Sequence, residues 1–359
     1  MSTPVEPASN GDTRPNLALA RGPFQERVTR SSIAAWENVL CVGIACVDIV
    51  DELACFPDED SEQRSLGRIR RLGGNGANML CTLSQFDGAK SSLMFASAPR
   101  ESDPNVAFVG DELCRFNVTQ VPVLIKEWKG TVQMPTSYIL QSRLTGSRTI
   151  IHYRNIPELT CADMAGNVDL STYTWVHFEG RSGPDLEGML RASVHAGCTI
   201  SLEIEKPRPP FDMLTLLRYC NVVMIGKDFV KAQGFAHARE FLVNLWSQRQ
   251  TLGIKLHAKI VLPWGEEGAF GIAFGENVTR DEAEAGPEII YAPAATLDKP
   301  ILDSVGAGDV FNGSLVVGLL RGQPLHEAMR FACNIAGGKC TQQGLEHLTK
   351  FVSEDKRGL

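Results

Sequence analysis

The chain has 359 residues, of which 43% are hydrophobic and 21% are charged, so it can bury a sizeable globular core. Its formal net charge of -7 argues against nonspecific binding to nucleic acid or to an anionic membrane surface, because both are negatively charged. No apolar run approaches the ~18 residues that a membrane helix needs.

The N-terminal segment, residues 1–35, carries scattered prolines and glycines without periodicity, and it is predicted to form a disordered extension. It lacks the apolar core of a secretion signal, and a transit peptide is the alternative interpretation because the segment contains several arginines. The ten cysteines of the chain include no Cys-x-x-Cys pair, and Cys41 and Cys46 lie inside an apolar run. Buried free thiols favour a reducing compartment, so we expect a cytoplasmic protein.

The first predicted strand follows this extension. Val39 to Val50 form a near-continuous apolar run, as expected of a strand that is buried on both faces of a parallel sheet. Asp48 lies near the end of the run, and open α/β sheets bind ligands at the carboxyl ends of their strands. Asp48 is therefore a candidate ligand-binding residue, and a solvated turn aspartate is the alternative.

A glycine-rich motif at 73–78 opens a helical pattern. Gly74 and Gly76 resemble part of a dinucleotide-binding loop, but the third glycine is missing, so a dehydrogenase is weakly supported. Asn75 and Asn78 are better interpreted as sugar-binding residues, because an amide both donates and accepts hydrogen bonds and suits vicinal hydroxyls. Helix capping is the alternative role for these two asparagines.

Short β-rich runs alternate with amphipathic helical patterns along the rest of the chain. The runs are Ser92–Ala96, Thr174–Phe178, Thr199–Ile204, Asn221–Ile225 and Lys259–Leu262. Strands that alternate with helices predict βαβ units and a mostly parallel sheet, which is a Rossmann-like α/β fold.

Two β-like segments without helical partners, at about 49–72 and 136–153, interrupt this alternation. The second has the pattern of a hairpin with a turn at Leu144–Ser147. Together they predict a small antiparallel sheet that stands apart as a lid. Its apolar residues need cover that one active site cannot supply in full; these are Tyr138, Leu140, Ile150 and Tyr153.

The C-terminal motif Asp303–Phe311 follows an extended segment and opens an apolar helix. Gly306 and Gly308 let the backbone approach a ligand closely, and the free N–H groups of a helix start bind anions. Asp309 lies in the first turn, where the helix dipole is expected to keep its carboxylate ionised. An ionised carboxylate there could accept a hydroxyl proton while the amides hold a phosphoryl group. A plain glycine-rich turn is the alternative.

These motifs carry a family resemblance over roughly residues 38–350. Asp303–Phe311 resembles the C-terminal signature of the PfkB family of carbohydrate kinases, and Arg71–Asn78 resembles the N-terminal one. The resemblance implies a ribokinase-like, three-layer fold with a small β-sheet lid, or β-clasp, in one kinase domain over 36–355. Less generic stretches, such as Trp175–Arg181 and Glu203–Arg208, are similar to the ketohexokinase subfamily.

The resemblance also implies an activity and a role for each matching residue. ATP with Mg²⁺ would phosphorylate a ketohexose, with D-fructose giving fructose 1-phosphate, and Asp309 would be the general base. The implied anion-hole residues are Gly306, Ala307 and Gly308. The implied sugar-binding residues are Asp48, Gly74, Asn75, Asn78 and, from a partner subunit, Asp60. The implied nucleotide-binding residues are Arg148, Gly265, Gly268, Phe311 and Cys333.

Further expectations follow from the same resemblance. A potassium ion is implied near Asp303 and Ser304, and a symmetric homodimer is implied through the lids. Many family members carry an Asn-x-x-Glu motif that organises magnesium, and the matching stretch here, Ile225–Val230, lacks it. Another PfkB sugar kinase, such as an O6 fructokinase or a ribokinase, and a catalytically silent binding protein are the alternatives.

Overall fold

The structure, a computed structural model, describes residues 38–352 apart from 87–89, 129, 182 and 276–285. The extension predicted at 1–35 therefore lies outside the described residues. Thirteen strands are formed within the described ranges: β1 (Asn38–Val42), β2 (Cys46–Leu53), β3 (Gly67–Gly73), β4 (Lys90–Ser97), β5 (Val118–Leu124), β6 (Thr136–Ser142), β7 (Arg148–Tyr153), β8 (Trp175–Glu179), β9 (Thr199–Ile204), β10 (Val222–Ile225), β11 (Lys259–Pro263), β12 (Ala269–Ala273) and β13 (Ile290–Ala292).

Nine strands form one large sheet in the order β13-β12-β11-β10-β9-β8-β1-β4-β5. All of its pairs are parallel except β11 with β12 and β12 with β13. The five β-rich runs predicted between residues 92 and 262 correspond to β4 and β8 to β11. The predicted α/β fold with a mostly parallel sheet is therefore confirmed.

Helices connect the strands of the described chain. They are α1 (Asn75–Leu83), α2 (Pro104–Arg115), α3 (Cys161–Asn167), α4 (Pro184–His195), α5 (Lys227–Ala232), α6 (Ala238–Ser247), α7 (Arg249–Leu252), α8 (Ala307–Leu320) and α9 (Leu325–Cys340). Helix α8 packs against α1 and α9, which brings the two glycine-rich motifs together. In the part of the chain that is described, no helix has the length and apolar character needed to cross a membrane.

The four remaining strands form the lid, a second sheet in the order β3-β2-β6-β7. Strand β2 pairs antiparallel with β3 and parallel with β6, and β6 and β7 form the predicted hairpin. Both predicted lid segments are thus found in one sheet. Its pairs are not all antiparallel as expected, because β2 and β6 are joined through a long stretch of the large sheet.

The apolar run from Val39 to Val50 is two strands and not one. It leaves the large sheet after β1, passes through residues 43–45, and enters the lid as β2. Asp48 is the third residue of β2, where it pairs with Arg71 of β3 and Ser137 of β6. Its predicted place at the carboxyl end of a large-sheet strand is therefore wrong, since burial in two different sheets leaves no break in the sequence pattern.

The start of α1 needs a glycine. Gly74, the residue before this helix, has φ 101°, and a Cβ atom there would lie 2.3 Å from the carbonyl oxygen of Ile44. This conformation is costly for any residue with a side chain, and the contact is with backbone that cannot rotate away. The link between the two sheets and the N-terminus of α1 therefore touch at this point.

We predict that Gly74→Ala lowers the free energy of unfolding by at least ~1–3 kcal/mol, the usual cost of such backbone strain. Gly166→Ala in α3 is the matched control, because nothing lies within 4 Å of its added Cβ and alanine favours a helix. Thermal unfolding measures both variants. Equal melting temperatures for Gly74→Ala and the wild-type chain would contradict the prediction.

Candidate active site

The N-terminus of α8 forms the floor of the candidate site. Gly306 precedes the helix in a left-handed conformation with φ 80°, and α8 begins at Ala307. Gly308 is exposed, and a Cβ atom there would meet nothing within 4 Å, so open space lies over the helix start. The first amides of a helix have no helical acceptor, and together with the helix dipole they attract a negatively charged group.

Asp309, in the first turn of α8, meets the other glycine-rich motif. The Nδ2 atom of Asn78 donates a hydrogen bond of 2.7 Å to Oδ2 of Asp309, joining residues that are 231 positions apart. The other amide atom, Oδ1 of Asn78, is buried and accepts no hydrogen bond from the described residues. A ligand hydroxyl that donates to this oxygen would satisfy it.

The pKa of Asp309 is raised to about 8. Burial is the main cause, the charges of Glu179, Glu205 and Asp48 add to it, and the hydrogen bond from Asn78 opposes it. The expectation that the helix dipole keeps Asp309 ionised at neutral pH is therefore wrong, because the effect of burial on the pKa outweighs that of the dipole. A carboxyl group with this pKa is near the optimum for proton transfer around neutral pH.

Two buried glutamates lie beside Asp309, at or near the carboxyl ends of adjacent strands. Oε1 of Glu179 in β8 accepts hydrogen bonds from the backbone N–H groups of Ile44 at 2.9 Å and Gly76 at 2.5 Å. Burial raises the pKa of Glu179 despite these donors. Glu179 therefore holds the link between β1 and β2 against the start of α1.

Glu203 of β9 joins the two helices of the site. Its carboxylate accepts hydrogen bonds from the Nδ2 atoms of Asn75, at 3.2 Å, and Asn312, at 2.9 Å. Burial and the charge of Asp309 raise the pKa of Glu203 well above its ordinary value. Neither Glu203 nor Glu179 was predicted as a site residue. The signal that singled out Asp48, a charged residue at the end of an apolar run, could have identified both.

The inner face of the lid carries polar groups towards this site. Asp48 is buried, its Oδ1 accepts a 3.5 Å contact from the thiol of Cys46, and burial raises its pKa while the charge of Arg71 lowers it. The guanidinium of Arg148 donates a 2.9 Å hydrogen bond to Oγ of Ser304, just before α8. The lid therefore brings a cation next to the helix start.

Asp60 is not brought into the site by this chain. It is exposed in the turn between β2 and β3, with φ 58°. Among the described residues, no hydrogen bond or ion pair joins it to the other site residues. Asp60 could therefore contribute only to the site of a partner subunit.

The turn before α8 is built around Asp303, which is 2% exposed. Its carboxylate pairs with the guanidinium of Arg71 at 2.6 Å and the ammonium of Lys339 at 2.9 Å. Burial would raise the pKa of Asp303, but these two positive charges lower it below its ordinary value. The residues expected to bind potassium, Asp303 and Ser304, are thus already contacted by Lys339 and Arg148 respectively.

The predicted nucleotide-binding residues meet in part at the end of β13. A Cβ atom on Gly268 would lie 2.2 Å from the carbonyl oxygen of Ala292, and the thiol of Cys333 lies 3.8 Å from the same oxygen. Gly265 is exposed on the short turn that precedes Gly268. Phe311 is buried in α8, within the core that α8 shares with its neighbours.

The described residues contain no group of three or more histidine, cysteine or acidic side chains arranged to hold a metal ion. The stretch that lacks the Asn-x-x-Glu motif forms the end of β10 and the start of α5.

Comparisons with known proteins show what the chain is similar to. A family model described as pfkB family carbohydrate kinase matches residues 288–350. Ketohexokinase of Mus musculus is 33% identical over 320 residues, which are 86% of this chain and 98% of that protein.

Solved structures show the same fold. A ribokinase from Thermotoga maritima matches with a TM-score of 0.65 at 19% identity, covering 88% of this chain and 99% of that one. A ribokinase from Cryptococcus neoformans in complex with ADP matches with a TM-score of 0.64 at 19% identity, covering 87% and 96%. The ribokinase-like fold implied by the sequence is confirmed, and the chain belongs to the pfkB family of carbohydrate kinases.

Proposed function

We propose that this carbohydrate kinase transfers the γ-phosphoryl group of MgATP to O1 of a ketohexose, with D-fructose giving fructose 1-phosphate. The hydrogen bond between Asn78 and Asp309 carries the proposal, because it joins the first helix of one glycine-rich motif to the first turn of α8. The similarity to a ketohexokinase over 86% of the chain supports the choice of sugar.

Asp309 is the general base in this mechanism. The hydroxyl of the sugar donates to Asp309, which removes the proton as the oxygen attacks the γ-phosphorus, and the bond from that phosphorus to the β-phosphate oxygen breaks to release ADP. The N–H groups at Gly306, Ala307 and Gly308 stabilise the charge on the transferred group. Arg148, which lies on the lid, neutralises charge on the phosphates of ATP. The lid also excludes water, which limits hydrolysis of ATP.

The sugar lies between the lid and α1 in this proposal. Asp48 on the lid accepts from one hydroxyl, and Asn78 accepts from another through its buried, unpartnered Oδ1. Asn75 is held by Glu203, so its remaining amide oxygen is fixed in orientation. The adenine lies near Gly265, Gly268, Phe311 and Cys333.

The product decides the proposal. The protein is incubated with MgATP and D-fructose, tagatose, ribose, glucose or adenosine, and ADP and product are followed by chromatography and NMR. Phosphorus coupling to the C1 protons of the fructose product supports the proposal. Coupling to the C6 protons identifies an O6 fructokinase, preference for ribose a ribokinase, and no ADP release with any acceptor a silent binding protein.

We predict that Asp309→Asn lowers kcat by ~10²–10⁴, the usual contribution of a general base. The amide keeps the shape of the side chain but cannot accept the proton, so fructose binding by calorimetry stays close to that of the wild type. A variant that keeps a third of the wild-type rate would remove Asp309 from the mechanism.

The raised pKa of Asp309 predicts a pH-dependent stability. Its folded pKa of about 8 lies above its ordinary value of 3.8, so its contribution is complete below pH 3.8 and is lost as the pH rises through 8. Between pH 5 and 9 the melting temperature of the wild type should therefore fall more steeply than that of Asp309→Asn. Parallel curves would show that the carboxyl is ionised throughout this range.

We predict that Arg148→Ala raises the KM for ATP by about tenfold and the KM for fructose much less, because a hydrogen bond to a charged group is lost. Arg143→Ala is the matched control: it lies on the same hairpin and pairs with Glu52. Steady-state kinetics measure both variants. Equal effects on the two substrates would leave Arg148 as a solvated hairpin charge.

The outer face of the lid supports a homodimer. Tyr138 and Ile151 are directly paired across β6 and β7 and are 49% and 59% exposed, and Tyr153 on the same face is 51% exposed. Ile150 lies on the opposite, inner face, since it pairs with buried Ile139. Two lids that cover each other across a twofold axis would remove this apolar surface from water and could place Asp60 near the partner's site.

We predict that Tyr138→Glu combined with Ile151→Glu gives monomers with reduced activity, because both charges would be buried in the dimer. Leu256→Glu, at a site 64% exposed in a loop of the large domain, is the control and should stay dimeric. Sedimentation velocity measures all three chains. A monomeric and fully active wild type would refute the dimer without affecting the catalytic assignments.

A further inference from the structure

The ammonium group of Lys339 is fully buried in α9 and surrounded by oxygen atoms of the turn before α8. Its Nζ lies 2.9 Å from Oδ2 of Asp303, 2.8 Å from the carbonyl oxygen of Asp303 and 2.5 Å from the carbonyl oxygen of Val305. An ammonium group has three N–H donors, so these three acceptors use all of them.

This contact orients the anion-binding backbone. The C=O of Val305 points at Nζ, and in a trans peptide the N–H of the next residue, Gly306, points the opposite way. The same argument holds for the C=O of Asp303 and the N–H of Ser304. A cation below the turn therefore pulls its carbonyls inward and leaves its N–H groups directed away from Lys339, on the side where α8 begins.

Carbonyl oxygens and one carboxylate are also what a potassium ion would require, and the family resemblance implied potassium beside Asp303 and Ser304. The geometry does not fit a free ion next to Asp303 and Val305. Nζ already occupies the position within 3 Å of all three oxygens, and a second cation there would meet a like charge at very short range. Arg71 adds another positive charge on the same carboxylate.

We propose that Lys339 serves as a built-in monovalent cation that orders the Asp303–Gly306 turn and makes this kinase independent of free potassium. Lys339 is a positioning residue: it acts through the backbone of the turn and touches no reacting atom. The inference rests on the kinase family of the chain and does not require fructose to be the substrate.

The first experiment uses the wild-type protein in buffer whose only monovalent cation is N-methyl-D-glucamine. KCl replaces the organic salt at a constant ionic strength of about 0.1 M, so that screening does not change. ADP is quantified by chromatography, because coupling enzymes can have cation requirements of their own. An unchanged rate and an unchanged melting temperature support the proposal, and activation or stabilisation by potassium overturns it.

The second experiment tests whether removing the ammonium group of Lys339 makes the kinase dependent on potassium. Lys339→Met keeps an unbranched side chain that is one atom shorter and removes its charge, and the vacated oxygens should then bind potassium. We expect a rate about tenfold or more below the wild type in the organic buffer, with potassium restoring rate and melting temperature together. Lys350→Met, at an exposed lysine near the end of the described chain, is the control and should stay indifferent to potassium.

The outcomes separate a cation site from a plain ion pair. A folded Lys339→Met protein that ignores potassium in both readouts overturns the proposal, because Lys339 is then only a structural partner of Asp303. If the variant does not fold, the wild-type titration decides alone. The melting-temperature readout also distinguishes failure of this inference from failure of the proposed fructose activity, since it needs no sugar.

Discussion

The buried carboxylate of Asp303 is the constraint on which the site depends. It is held by Arg71 from the lid, Lys339 from α9, and the backbone N–H groups of Val305 and Gly344. Three segments far apart in the chain therefore share one anion. Removing one partner of a buried charge pair commonly costs 3–5 kcal/mol, so the lid and the helix start cannot be repositioned independently.

Around this anchor, the candidate site concentrates acidic groups. Glu179, Glu203 and Asp309 all have raised pKa values, and burial is the first cause for each. The amides of α8 and the guanidinium of Arg148 supply the opposing positive potential without a dense patch of lysines, which is compatible with the net charge of -7.

Much of this architecture could be predicted from local sequence signals. The apolar runs located the strands of the large sheet, and the glycine-rich starts of α1 and α8 located the site, because backbone approach and helix polarity are local properties. The division of Val39–Val50 between two sheets was missed, since burial looks the same in both. Lys339 reads as an ordinary lysine in a helix, and its burial depends on a carboxylate 36 residues earlier that only the tertiary fold brings close.

The short connections at the base of the lid join it to the large sheet and to α1. The chain enters the lid through residues 43–45 and leaves β3 directly into α1, while β6 and β7 begin and end beside the same edge. Hydrogen bonds from Arg71, Gln141 and Arg148 also hold the inner face of the lid to the segment before α8. Glu179 accepts hydrogen bonds from the N–H of Ile44, where the chain enters the lid, and from the N–H of Gly76, just after it leaves β3, so one carboxylate holds both connections together.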